Sequence, residues 1–171
     1  MYRVRHNLTT EAMISIYYTL VYPHLTYCVS LWASTWPSFL NKLTISQNKF
    51  LRCIFFMKKF DSTEEIYKTR KILKLPCIHK YFSLLLIYKT IGYNSIFQLR
   101  ENPCHTRSNN VNLSLPIFRT TLFKNSIINF APELFNSLPV SIKLLLRGGT
   151  YDKYKREVKK HLLNAQILSI L

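Results

Sequence analysis

Between Ala12 and Asn41 the chain carries no Asp, Glu, Lys or Arg. Inside this stretch, YYTLVYPHLTYCVSLW from Tyr17 to Trp32 gathers four tyrosines, a tryptophan and a Pro-His pair. A segment without charge belongs in an interior, whereas the whole chain carries 24 Lys and Arg against eight Asp and Glu, a formal +16. The two facts together constrain the fold: an aromatic centre, with cationic elements wrapped around it and facing outward. Tyr17, Tyr18, Tyr22, Pro23, His24, Tyr27 and Trp32 are therefore read as a buried structural hub.

An apolar fraction of 48% is too high for a disordered basic tail, so the charge must lie on a folded surface. Such a surface suits nucleic acid or anionic lipid better than a small molecule. Only three glycines in 171 residues favour helices over a loop-rich β design. Cys28, Cys53, Cys77 and Cys104 form no C-x-x-C pair and no finger spacing with histidines, so neither zinc nor any other metal is expected. Unpaired, scattered thiols suit a reduced intracellular setting, nuclear or cytoplasmic. Residues 12 to 40 are long enough to span a bilayer, but Ser15, Thr19, Pro23, His24, Thr26 and Ser30 interrupt them. A membrane anchor is the poorer match.

Thr9 or Thr10 can cap a helix whose first turn holds Glu11, and Pro23 should kink or divide it. His24 beside the kink lacks an acidic or nucleophilic partner, so it reads as a packed histidine rather than a base. A second helix is expected from Pro37 to Met57. Leu40, Leu43, Phe50, Leu51 and Ile54 lie along one face with Gln47 among them, and Lys42, Lys49 and Arg52 lie opposite. In 62–74, Ser62 or Thr63 precedes Glu64 and Glu65, with cations at the other end, a distribution that stabilises a helix through its dipole. Pro76 opens and Gly92 closes a helix that is apolar nearly all round, which predicts a buried position.

Residues 100–118 read as a connector with at most a short extended segment. Beyond it come short pieces of strand or helix, a turn at Ala131-Pro132 and a stop at Pro139. A short helix over 140–147 should end at Gly148-Gly149. Thr150 then caps a final helix with Tyr151, Tyr154, Val158 and Leu162 on one side. Lys153, Arg156 and Lys160 lie opposite, flanked by Lys155 and Lys159, the densest basic patch in the sequence.

Polymerase or nuclease chemistry with two metals needs clustered carboxylates. The two aspartates, Asp61 and Asp152, lie far apart in sequence, and no phosphate-cradling glycine loop or nucleophile motif is present. The chain alone is therefore read as no enzyme, with no catalytic residue and no cofactor of its own.

The Tyr17–Trp32 run, followed by L-x-x-x-Q-N-K-x-x-R-x-I from Leu43 to Ile54, resembles the region just downstream of the palm in reverse transcriptases of non-LTR retrotransposons. Further pieces follow in the family's order. They are His105-Thr106-Arg107, Arg119-Thr120, the run from Ala131 to Pro139, and the basic helix near Tyr154-Lys155. The family usually has Gly-Pro and a Trp where this chain has Ala131-Pro132 and Phe135. The resemblance implies a mainly α fold: a compact helical thumb over 1–93, a connector over 94–118, and a segment over 119–171 that ends in a basic helix. It implies a grip on RNA, DNA or an RNA–DNA hybrid through the backbone, and adds Arg107 and Arg119 to Lys42, Lys49, Arg52, Lys153, Arg156, Lys159 and Lys160 as candidate contacts. Magnesium in the parent polymerase would belong to a palm bearing Tyr-x-Asp-Asp. That palm, absent from this sequence, is an expected partner. Two alternatives stay open: a stand-alone basic helical module that binds nucleic acid or protein, and a decayed element with no selected function.

Overall fold

A computed structural model describes residues 5–34, 37–91, 96–100 and 111–168. The chain is mainly α-helical, and the described residues contain no strand, only an isolated antiparallel bridge between Leu99 and Leu113. It divides into two compact units: Met1–His79 with Leu163–Leu171, and Lys80–Leu162. The division thus falls elsewhere than the expected boundary at residue 93, within two helices, and it assigns the C-terminus to the first unit.

In the first unit, α1 (Thr10–Ile16) starts where Thr9 Oγ1 accepts from the Ala12 N–H at 3.3 Å. It runs into a π-helical turn, Tyr17–Val21, and then α2 (Tyr22–Thr26) and α3 (Val29–Trp32). The π turn is the answer to Pro23, which has no N–H to offer the preceding turn. The Tyr22 N–H reaches back to the Tyr17 carbonyl, and the Thr19 hydroxyl donates to the Ser15 carbonyl at 2.9 Å. Cys28, at φ 47°, breaks the run again before α3.

These interruptions correct the expectation of a buried aromatic hub. The inward positions are Met13, Tyr17, Leu25, Val29 and Ala33, separated by multiples of four residues. That spacing follows one stripe of a helix widened by its π turn, so the other side chains point outward. Tyr17 alone of the seven proposed hub residues is fully buried. Tyr27 is 76% exposed, Tyr18, Pro23 and His24 are exposed, and Tyr22 and Trp32 are half-buried.

Helix α4 (Pro37–Ile54) buries Gln47, Leu51, Cys53 and Ile54, while the expected inward Leu43 is 38% exposed. Gln47 is the polar centre of this unit. Its amide Nε2 donates to Tyr17 Oη and to the Leu73 carbonyl, and its Oε1 accepts from the Leu75 N–H, each at 3.0 Å. Asn48 Oδ1 next to it accepts from Tyr67 Oη at 2.7 Å and Thr63 Oγ1 at 3.2 Å. Buried polar groups satisfied this fully fix one arrangement of the surrounding helices. Tyr17, Leu51, Ile54, Ile66, Tyr67 and Ile72 form the apolar cluster beside them.

Helix α5 (Glu64–Thr69) is shorter than the charge pattern over 62–74 predicts, because Arg70 ends it and Lys71 takes φ 52°. Lys74 Nζ meets Glu64 Oε1 at 2.7 Å. Helix α6 (Leu75–Thr90) begins beside Pro76 as expected and is buried over most of its circumference. Its predicted terminator, Gly92, lies outside the described residues.

In the second unit, Asn112 and Ser114 flank the expected extended segment. The Arg100 N–H donates to the Asn112 carbonyl at 2.8 Å, and the Ser114 N–H to the Gln98 carbonyl at 2.9 Å. Leu113 then turns to Asn136: its N–H donates to Asn136 Oδ1 at 2.8 Å, and its carbonyl accepts from Nδ2 at 3.0 Å. Short α7 (Thr121–Lys124) precedes α8 (Ile127–Asn136). The turn expected at Ala131-Pro132 is not there. Both residues lie buried inside α8, where burial of Ala131, Pro132 and Phe135 along one face outweighs the lost hydrogen bond. Pro139 ends that run and leads into α9 (Val140–Gly148), followed by α10 (Tyr151–Leu168).

The link between α9 and α10 is tight. The Gly149 N–H donates to the Leu145 carbonyl at 2.9 Å, and a Cβ on Gly149 would stand 2.7 Å from that oxygen. Tyr88 Oη donates to the Gly149 carbonyl at 2.5 Å. These bonds set the start of the helix that carries the basic patch.

Candidate nucleic-acid interface

Helix α10 turns one side inward as its pattern predicts. Tyr154 and Val158 are fully buried, Leu162 nearly so, and Tyr151 half-buried. Tyr154 stacks on Tyr88 with ring centroids 5.0 Å apart, and its hydroxyl donates to the Leu84 carbonyl at 3.3 Å. Burial pushes the Tyr154 phenol well above its ordinary range. This anchorage fixes the rotation of α10 about its axis.

With that rotation fixed, Lys153, Lys155, Arg156, Lys159 and Lys160 are all exposed. At about 100° per residue, Lys153, Arg156 and Lys160 fall within an arc of about 60° that extends about 10 Å along the axis. Asp152 and Glu157 are also exposed on this helix, yet among the described residues none of the five cations enters an ion pair.

Their position along the helix matters as much as their face. The dipole favours acids at the N-terminal end and cations at the C-terminal end. In α5 the charges obey this rule, with Glu64 and Glu65 first and Lys68 last. In α10 the cations cluster in the first three turns, and the last turn has no basic residue. Favourable interaction with the C-terminal end of the dipole therefore does not account for them.

The remaining candidates divide. Lys42 and Lys49 are exposed on α4, in the first unit, with Lys42 Nζ 5.6 Å from the Phe39 ring centre. Arg52 is not a free cation. It is half-buried, and its Nε donates to the Asp61 carbonyl at 2.9 Å, bracing the turn whose Asp61 Oδ2 accepts from the Lys58 N–H at 2.8 Å. Arg119 is exposed ahead of α7, in the second unit. Arg107 lies outside the described residues. The structure thus brings together Lys153, Arg156, Lys159 and Lys160 on one helix, and Lys42 and Lys49 on another.

One cation escaped sequence reading. Lys143 on α9 is 5% exposed, and its Nζ donates to the Asn136 carbonyl at 2.6 Å and to Asn112 Oδ1 at 3.1 Å. Burial holds its ammonium below the ordinary lysine range. Its place among the apolar residues Ile142, Leu144 and Leu145 was the available signal.

Among the described residues there is no group of three or more His, Cys, Asp or Glu placed to hold a metal ion. Nor is any described helix long and apolar enough to cross a membrane. No protein-family model, curated protein or solved structure matches the chain.

Proposed function

We propose that this chain is the thumb and C-terminal segment of a non-LTR retrotransposon reverse transcriptase, and that it grips template and primer through the outward face of α10. The ordered motifs from Tyr17 to the basic helix support the family reading. One observation carries the binding reading: five exposed cations lie within the first three turns of α10 and none of them enters an ion pair among the described residues. A polyanion supplies the charge that the helix lacks.

Lysine and arginine on such a face contact phosphates and sugar hydroxyls rather than base edges, so the grip is independent of sequence and suits a duplex that slides as it is copied. The described residues contribute hold and orientation. Magnesium and the transfer of nucleotides belong to the palm of the parent enzyme.

The test is binding of the full chain to a labelled RNA–DNA duplex over a range of salt, beside the variant K153Q/R156Q/K160Q. The variant should bind more weakly, with a flatter dependence on salt. Unchanged binding by a variant with an unchanged circular dichroism spectrum would reject this face.

A further inference from the structure

The first unit has an open groove of about 680 Å³ between the π turn with α2 on one side and α4 on the other. Leu20, Val21 and His24 line one wall, and Leu43, Ser46 and Phe50 the other. Leu20 is 61% exposed and Leu43 38%, so both present apolar surface to water. At the base lies Gln47, whose two amide hydrogens are already committed to Tyr17 and Leu73. The Ser46 hydroxyl is likewise committed to the Lys42 carbonyl at 3.1 Å. Apart from the exposed His24 imidazole, the groove therefore selects a ligand mainly by apolar burial.

Its border supplies the second criterion. Lys42 and Lys49 are exposed two turns apart on α4, with Ser46 between them on the same stripe, so both stand beside the α4 wall. No Asp or Glu occurs from Ala12 to Phe60 to offset them. A nucleic-acid backbone would satisfy the lysines and leave the leucines wet. A second copy of the chain, itself at +16, would meet the lysines with like charge.

We propose that this groove docks an acidic amphipathic helix of a partner protein. The apolar stripe of that helix enters between Leu20 and Leu43, and two of its carboxylates, also two turns apart, pair with Lys42 and Lys49. The proposal uses none of the α10 cations and is independent of the family reading.

The test uses the full chain and a fluorescein-labelled helical peptide of Leu, Ala and Glu, with leucines in one stripe and glutamates along its flank. A second peptide has lysine in place of every glutamate. The acidic peptide should bind and the lysine peptide should not. K42E/K49E should weaken the acidic peptide by about tenfold or more and confer binding of the lysine peptide. S46W, which fills the groove, should weaken the acidic peptide by a similar factor while the thermal midpoint and heteroduplex binding stay unchanged. If S46W misfolds, L20E at the exposed wall serves instead. Equal binding of both peptides, or full binding by a folded S46W or L20E chain, overturns the proposal. So does sedimentation with phosphatidylglycerol vesicles, or self-association in the ultracentrifuge, if S46W or L20E abolishes it, since the groove would then belong to lipid or to a second copy.

Discussion

Helices α4 and α10 have the same length, 18 residues, and both read in sequence as one apolar face opposed by one basic face. Their cations have different fates. In α4, Arg52 is spent on the Asp61 turn, and the inward face carries Gln47 and Asn48, which bind five partners between them. In α10 the inward face is aromatic and aliphatic as far as Leu162 and ends on one buried glutamine, Gln166. Its Oε1 accepts from the Lys74 N–H at 3.0 Å and its Nε2 donates to the Ile72 carbonyl at 3.2 Å, while the outward cations hold nothing together among the described residues. A basic face becomes evidence for a ligand only after the fold's own claims on it have been subtracted.

The widest gap between the two helices should come from Gln47→Ala. It strips partners from Tyr17 Oη, the Leu73 carbonyl and the Leu75 N–H, and should cost about 2–4 kcal/mol in urea unfolding. A loss under ~1 kcal/mol would mean that the Gln47 bonds contribute little to holding α4 in place.

Alkaline unfolding compares Tyr17, the partner of Gln47 on α4, with Tyr154 on α10. Burial pushes the Tyr17 phenol up to about 12, from an ordinary value of 10.0. The folded state therefore keeps a proton that the unfolded state releases, so stability is intact below pH 10 and falls as pH rises from 10 towards 12. The steepest loss is about 1.4 kcal/mol per pH unit for one such group. Tyr17→Phe and Tyr154→Phe should each flatten the decline. If only one of them does, the two phenols are not equally sealed.

Neutralising Lys153, Arg156 and Lys160 together should reduce the slope of log affinity against log salt by about 2 to 3 and weaken heteroduplex binding by about one to two decades. Stability should stay within about 0.5 kcal/mol, as for surface changes generally. The smallest effects separate two neighbours on α4. Arg52→Ala should cost about 1 kcal/mol by releasing the Asp61 carbonyl, and Lys49→Ala less than about 0.5. Equal costs would return Arg52 to the free cations.

What the sequence made legible was local. Thr9, Pro37, Pro76 and Pro139 act within one turn of themselves, and each stands at or beside an observed helix end. The cation arc of α10 was legible for the same reason, since a helix start and a fixed period place every side chain. Burial in the Tyr17–Trp32 run was not, because Pro23 announces an interruption but not that it takes the form of a π turn, and nothing in the composition announces the positive φ of Cys28. Pro132 sits inside α8 because its neighbours are buried, and Lys143 is drawn inward by acceptors from residues 7 and 31 positions away. These are contests between local preference and distant contacts, and sequence shows only one contestant.

The side chain of Asn136 has a consequence for solubility. An extended segment with unpaired peptide groups along one margin is a template on which a second chain can lay itself down. Among the described residues no strand covers that margin of Leu113, but the Asn136 carboxamide meets both its N–H and its C=O, as a neighbouring peptide unit would. One amide thus imitates a missing strand and shuts the template. Where Asn136 is lost, a lower melting temperature should be joined by slow growth of thioflavin-positive aggregates.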